Sequence, residues 1–185
     1  MSNWITTHTG QMFHFDSDDI DAINIEDIAH ALSNQCRFNG HCDRFYSVAE
    51  HSALIAYYLL ENFNDKGLAL QGLLHDASEA YMGDVVSPLK AMMPEYKAME
   101  ERLEARIARK FGISFPYDPR VKVADVGMLM DERDQNLSHP NSELWNLPEW
   151  AKPLGMKIAC FSPLVAYRQF MLMYEHLTNK YAEAV

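Results

Sequence analysis

The stretch that decides the fold is SVAEHSALIAYYLLENFNDKGLALQGLLHDASEAYMG, residues 47–83. Ser47 followed three residues later by Glu50 is a capping-box pattern, so a helix starts at Val48. Along it Val48, His51, Leu54, Ile55, Tyr58 and Leu59 share one apolar face, and His51 therefore points inward. The second half predicts another helix from Asp65 to the region of Gly83, a residue suited to a C-cap. That helix starts as a core helix and then carries His75, Asp76 and Glu79, with Asp84 just past its end. Burying several ionisable groups together is costly unless they are paired, hydrogen-bonded or bound to a metal.

Working outward, NIEDIAHALSN from Asn24 has helical spacing with Asn24 as N-cap, and CRFNGHCDRFYS follows as a loop punctuated by Asn39-Gly40. SPLKAMMPEY reads as a broken connection, and Pro94 opens an amphipathic helix closed by Gly112. DPRVKVADVGMLMDERDQNL predicts a helix with Asp118 as N-cap and Pro119 in its first turn. Residues 138–160 carry several prolines and read as a long ordered loop, and Ser162 caps a last helix running to the C-terminus. Residues 1–24 read as irregular or as a short hairpin. The expectation is an all-α bundle, one domain over residues 1–185.

A net charge of −10 gives no general attraction for nucleic-acid polymers or anionic membranes. The longest apolar runs fall short of the roughly 20 residues a membrane helix needs, and the polar N-terminus lacks a signal-peptide pattern. Cys36, Cys42 and Cys160 have no metal-type spacing and read as reduced thiols, which fits a cytoplasmic location.

A bare His-Asp pair carries no information in a chain with 8 histidines. Its setting does. Asp125 follows Val121 and Ala124 and precedes Met128, which puts a carboxylate on an apolar face. His51, His75, Asp76 and Asp125 are thus four metal-type ligands on three helices facing one core. A lone inward histidine is more often a hydrogen-bonded core residue, and Asp125 alone is as readily a salt-bridge partner. Four such coincidences in one core would each need a separate compensating partner. Imidazole and carboxylate donors suit one divalent transition metal, Zn, Co, Mn, Fe or Ni. Glu79, three and four residues beyond Asp76 and His75, is on the same face and is surplus to a four-ligand set. It is the candidate general acid/base. Asp84 is either a second catalytic acid or the cap of the next turn.

The quartet H…HD…D, with SVAEHS, LLHDASEAYMGDVVSPLK and VKVADVGML around it, resembles the HD-domain metal-dependent phosphohydrolases, and within them the bacterial 5′-deoxynucleotidases. ALSNQCRFNGHCDRFYSVAEHS also resembles the small phage and prophage HD proteins that include dATP triphosphohydrolases. The resemblance spans roughly Ile25 to Arg133. It implies His51, His75, Asp76 and Asp125 as metal ligands, Glu79 as acid/base, Asp84 as a supporting acid and Arg37 as the phosphate grip. Where the deoxynucleotidases carry Arg-Trp, this chain has Arg37-Phe38, and Phe38 would supply the wall that meets C2′ of the sugar. Lys90 and His41 are further candidates for the substrate side, although Lys90 alone reads more readily as a solvated surface cation. His30, Arg44 and Arg133 are weaker candidates. The expected activity is hydrolysis of a deoxynucleotide, a small-molecule substrate, with dATP the first choice among triphosphates and monophosphates the alternative. Non-catalytic nucleotide binding and hydrolysis of a cyclic or signalling nucleotide are the competing readings. The resemblance also implies a homo-oligomer.

Overall fold

The computed structural model describes residues 3–178 apart from 142 and 144. A two-stranded antiparallel hairpin, β1 (Trp4–Thr6) and β2 (Met12–His14), precedes the helices. These are α1 (Ile25–Asn34), α2 (Val48–Phe63), α3 (Lys66–Leu74), α4 (Glu79–Met82), α5 (Ser87–Lys90), α6 (Pro94–Phe111), α7 (Pro119–Asn136) and α8 (Pro163–Thr178). The bundle is mainly helical, as the periodicity requires, and no described helix is long and apolar enough to cross a membrane. The predicted continuation of α8 beyond Thr178 lies outside the described residues.

Local chemistry places the helix starts. Asn24 Oδ1 accepts from the Glu26 amide, Ser47 Oγ from Glu50 and Asp118 Oδ1 from Arg120, each satisfying an amide that the first helical turn leaves unpaired. The reciprocal half of the capping box at Ser47 is not made. The buried Glu50 carboxylate instead accepts the backbone N–H groups of Ala159, Cys160 and Phe161. It thereby fastens the extended segment before α8 to the start of α2, and a charged acceptor makes those bonds stronger than a neutral one would.

Helix α2 lies against α3, α7 and α8, with Ile55, Ala56, Leu59, Leu73 and Phe170 buried between them. Gly72 sets the α2–α3 distance: a Cβ there would meet Leu59 Cδ1 at 2.5 Å and Ile55 Cγ2 at 3.1 Å. Only a residue without a side chain allows this approach, and it brings His75, one turn on, up to His51.

The helix expected from Asp65 to about Gly83 is divided. After Leu74 the chain tightens, with Ala77 N–H bonding Leu74 O, Glu79 N–H bonding Asp76 O and Tyr81 N–H bonding Ser78 O. These three-residue spacings wind more tightly than an α-helix, and such stretches mark sites where side chains are re-aimed. The connection expected at SPLKAMMPEY holds the one-turn helix α5, and the loop after α1 holds a 3₁₀ turn, Phe38–Gly40. Gly83, at φ +84, lets the chain leave α4 and turn towards Asp84.

Candidate metal centre and active site

The four sequence-predicted ligands converge from α2, the tightened turn after α3, and α7. His51 Nε2 is 3.4 Å from Asp125 Oδ1 and 3.5 Å from Asp76 Oδ2. His75 Nε2 is 3.1 Å from Asp76 Oδ1 and 3.9 Å from Asp125 Oδ1. One donor atom each from His51, His75 and Asp125 lies within a 4.8 Å sphere of mutual separation, and Asp76 flanks both imidazoles. Both Nε2 atoms are buried without a hydrogen-bond partner. A buried imidazole nitrogen costs free energy unless something occupies it. Two of them beside two carboxylates fit a divalent cation bound by nitrogen and oxygen.

The electrostatics agree. Burial pushes Asp125 up, yet His51 and His75 bring it well below the carboxylate range; burial and Arg37 push His51 down, yet Glu132 and then Asp125 raise it to about 9. Asp76 also falls, because His75 and His51 outweigh its burial.

Around the cluster the structure adds a residue that the sequence reading missed. Glu132, fully buried on α7, accepts from Arg37 Nε at 3.1 Å and Nη2 at 3.0 Å and from the Tyr46 hydroxyl at 2.9 Å. Its other contact is His51 Nδ1 at 2.5 Å. A carboxylate on the far nitrogen of a liganding histidine fixes the ring's tautomer and orientation. The His75 Nδ1–Gly72 O contact at 2.8 Å does the same for the second imidazole. Glu132 stands seven residues after Asp125, two helical turns along the same face, and that spacing was the available signal.

Arg37 is thus clamped on one edge by Glu132, while Nη1 faces Asp76 Oδ2 at 3.7 Å. Its guanidinium lies 5.7 Å over the Phe38 ring, which packs against Trp145. Phe38 and Asn39 both have positive φ, 55° and 51°. Backbone strain at consecutive non-glycine residues is found where surrounding contacts hold a functional geometry in place.

Glu79 is 6% exposed, and its Oε2 has no partner. Burial, then Asp76 and Asp84, push its pKa well above the carboxylate range. Asp84 is raised by burial as well. Lys90 is not the free surface cation expected from sequence. Its Nζ bonds Glu100 Oε1 at 2.6 Å and stands 3.8 Å from Glu79 Oε1, because α5 folds its last turn back against α6. On α6 one turn past Glu100, Glu104 is pushed up to about 7 by burial and then by Glu100 and Asp76. His41 is exposed at the end of the 3₁₀ turn, and among the described residues no side-chain bond joins it to the cluster. Of the weaker candidates, His30 stacks on His8 with centroids 3.6 Å apart, and Arg133 pairs with Asp134 and lies over Trp145.

A family model described as 5′-deoxynucleotidase YfbR-like matches residues 33–144, a span that includes every residue of the cluster and of the Glu132 clamp. The uncharacterized protein YfdR of Escherichia coli is 38% identical over 178 residues, which cover 96% of this chain and 97% of that protein. An uncharacterized protein of Rhodobacter capsulatus is 37% identical over 122 residues, 61% of this chain and 62% of its own.

Proposed function

The chain belongs to the YfbR-like 5′-deoxynucleotidase family of nucleotide phosphohydrolases, and from that premise we propose that it removes the 5′-phosphate from deoxynucleoside monophosphates. The observation that carries the reading is the pair of buried, partnerless Nε2 atoms of His51 and His75 facing Asp76 and Asp125. These four residues would hold one divalent cation, which when bound supplies Lewis-acid activation of water and of the phosphoryl group.

The remaining steps belong to side chains. Arg37, kept cationic by Glu132 and Asp76 despite its burial, has one guanidinium edge free of Glu132 for a phosphate oxygen. Glu79, whose pKa lies well above the carboxylate range, retains a proton to give to the departing 5′-oxygen. Lys90, bonded to Glu100 and close to Glu79, limits how far that pKa rises. Phe38 offers an apolar wall to the sugar, against which a 2′-hydroxyl would be desolvated without a partner.

The family description favours the monophosphate over the dATP first suggested by the phage-like loop. The charge inventory supports the same choice. Arg37 and Lys90 are both already engaged by carboxylates, and an acidic chain has little left to neutralise a triphosphate. Hydrolysis of dAMP to phosphate and of dATP to tripolyphosphate would both break the bond between the 5′-oxygen and its phosphorus, so one panel separates them. Metal-loaded protein is incubated with AMP, dAMP, ATP and dATP, and phosphate and tripolyphosphate are quantified. The expected result is phosphate from dAMP with a higher kcat/KM than from AMP. Tripolyphosphate from dATP at a higher kcat/KM than phosphate from dAMP would overturn the choice of substrate. Release from none of them would favour a binding module.

A further inference from the structure

Helix α6 has two chemically opposite faces. Glu100 and Glu104 turn towards Lys90 and the active site. Arg102, Arg106 and Arg109, spaced by four and three residues, stand about 180° around the helix from that acidic edge. With Ile113, Phe115 and Asp18 they line a cavity of about 500 Å³, within the range of roughly 300–1,000 Å³ that small-molecule sites occupy.

The guanidiniums in this cavity have Asp18 and Asp19 nearby but no close ion pair. Arg106 is 4% exposed and donates to the backbone oxygens of His14 and Asp19, and Arg109 donates to that of Asp18. Carbonyl oxygens satisfy N–H groups but do not neutralise a cation. Among the described residues none of the three arginines has a carboxylate within 4 Å, although acidic residues outnumber basic ones 26 to 16. Arg106 Nε is buried without a hydrogen-bond partner, and the guanidinium lies 4.9 Å over the Phe13 ring. Burial lowers the Arg106 pKa; Asp18 and Asp19 offset this in part, and Arg102 and Arg109 lower it further. Guanidiniums without a close ion pair, lining one concave site, can take a phosphate group. Phe115 and Ile113 add an apolar surface that a phosphate alone would not use but a nucleobase would.

We propose that the cavity bordered by Arg102, Arg106 and Arg109 is a second binding site for a nucleoside phosphate, separate from the metal cluster. The phosphate sits on the guanidiniums and the base on Phe115 and Ile113. Asp18 at the rim accepts from a sugar hydroxyl or a base amine. The inference is independent of whether the metal cluster hydrolyses nucleotides.

The test is binding stoichiometry, measured by calorimetry on the metal-loaded protein. The probe is a deoxynucleoside 5′-phosphonate, whose carbon–phosphorus bond resists hydrolysis. Two equivalents per chain are expected. Arg102→Ala/Arg109→Ala should lose one and keep dNMP turnover; both side chains are exposed, so the core is untouched. Arg37→Ala should lose the other. Inorganic tripolyphosphate should compete at the arginine site, and Arg102→Lys/Arg109→Lys should retain partial binding. A wild type with no equivalent that Arg102→Ala/Arg109→Ala removes overturns the proposal, as do two equivalents in the double-alanine variant. If the Arg37-dependent equivalent alone is missing, the fault lies with the active-site reading and not with this one.

Discussion

Replacing Glu132 by glutamine tests whether one buried carboxylate holds both the metal site and the phosphate grip. The wild-type carboxylate takes four contacts, two from Arg37 and one each from Tyr46 and His51. Glutamine keeps the volume but removes the charge, and its NH₂ replaces an oxygen that accepts from these groups. Removing one side of a buried ion pair costs about 3–5 kcal/mol. Asp76, 3.7 Å from Arg37, offsets part of the lost charge, so the lower end, about 3 kcal/mol, applies. At about 2–4 °C per kcal/mol for a chain of this length, Tm should fall by about 6–12 °C. Loss of the partner on His51 Nδ1 should weaken metal binding about 10–100-fold. The assays are thermal unfolding with and without metal, and metal competition with a chromogenic chelator. A double-mutant cycle with Arg37→Met adds a sharper criterion. Removing the stranded guanidinium should recover part of the stability lost in Glu132→Gln. A variant with unchanged Tm and unchanged metal affinity, or strictly additive double-mutant effects, would refute the reasoning.

Three further outcomes follow from the same geometry. Glu79→Gln should keep its metal and lose about 10²–10⁴ in kcat; near-normal turnover would transfer the role to Asp84. Phe38→Ala should raise kcat/KM for AMP relative to dAMP by about 10-fold or more, the scale of one lost apolar contact at the sugar; an unchanged ratio would remove Phe38 from sugar selection. Glu104, raised to about 7 from an ordinary 4.5, holds its proton longer folded than unfolded. Its contribution therefore weakens the fold as pH rises from 4.5 through 7. Glu104→Gln should stabilise the chelator-treated protein at pH 8 and have little effect at pH 4.5, which thermal unfolding at the two pH values would show. Equal effects at both would refute it.

What the sequence determined by itself was local or periodic. Helix starts at Asn24, Ser47 and Asp118 depend on a side chain reaching an amide two or three residues on. His51 and Asp125 could be placed inward because an apolar stripe repeats every 3.6 residues, whatever the rest of the chain does. Only the tertiary structure decided the groups whose partners lie far along the chain. Glu132 bonds Arg37 and Tyr46 across 95 and 86 residues, and as one acid among 26 it had no local feature to mark it beyond its two-turn distance from Asp125. Glu50 had the right spacing for a capping box, yet three amides at 159–161 offered its charge more bonds than one helix amide could. Lys90 became a neighbour of Glu79 and Glu100 because α5 folds back on α6, which no periodicity predicts. The helix through His75 broke for a tertiary reason too: intrinsic propensity there is weak beside the packing of Gly72 on α2 and the approach of His75 and Asp76 to His51 and Asp125.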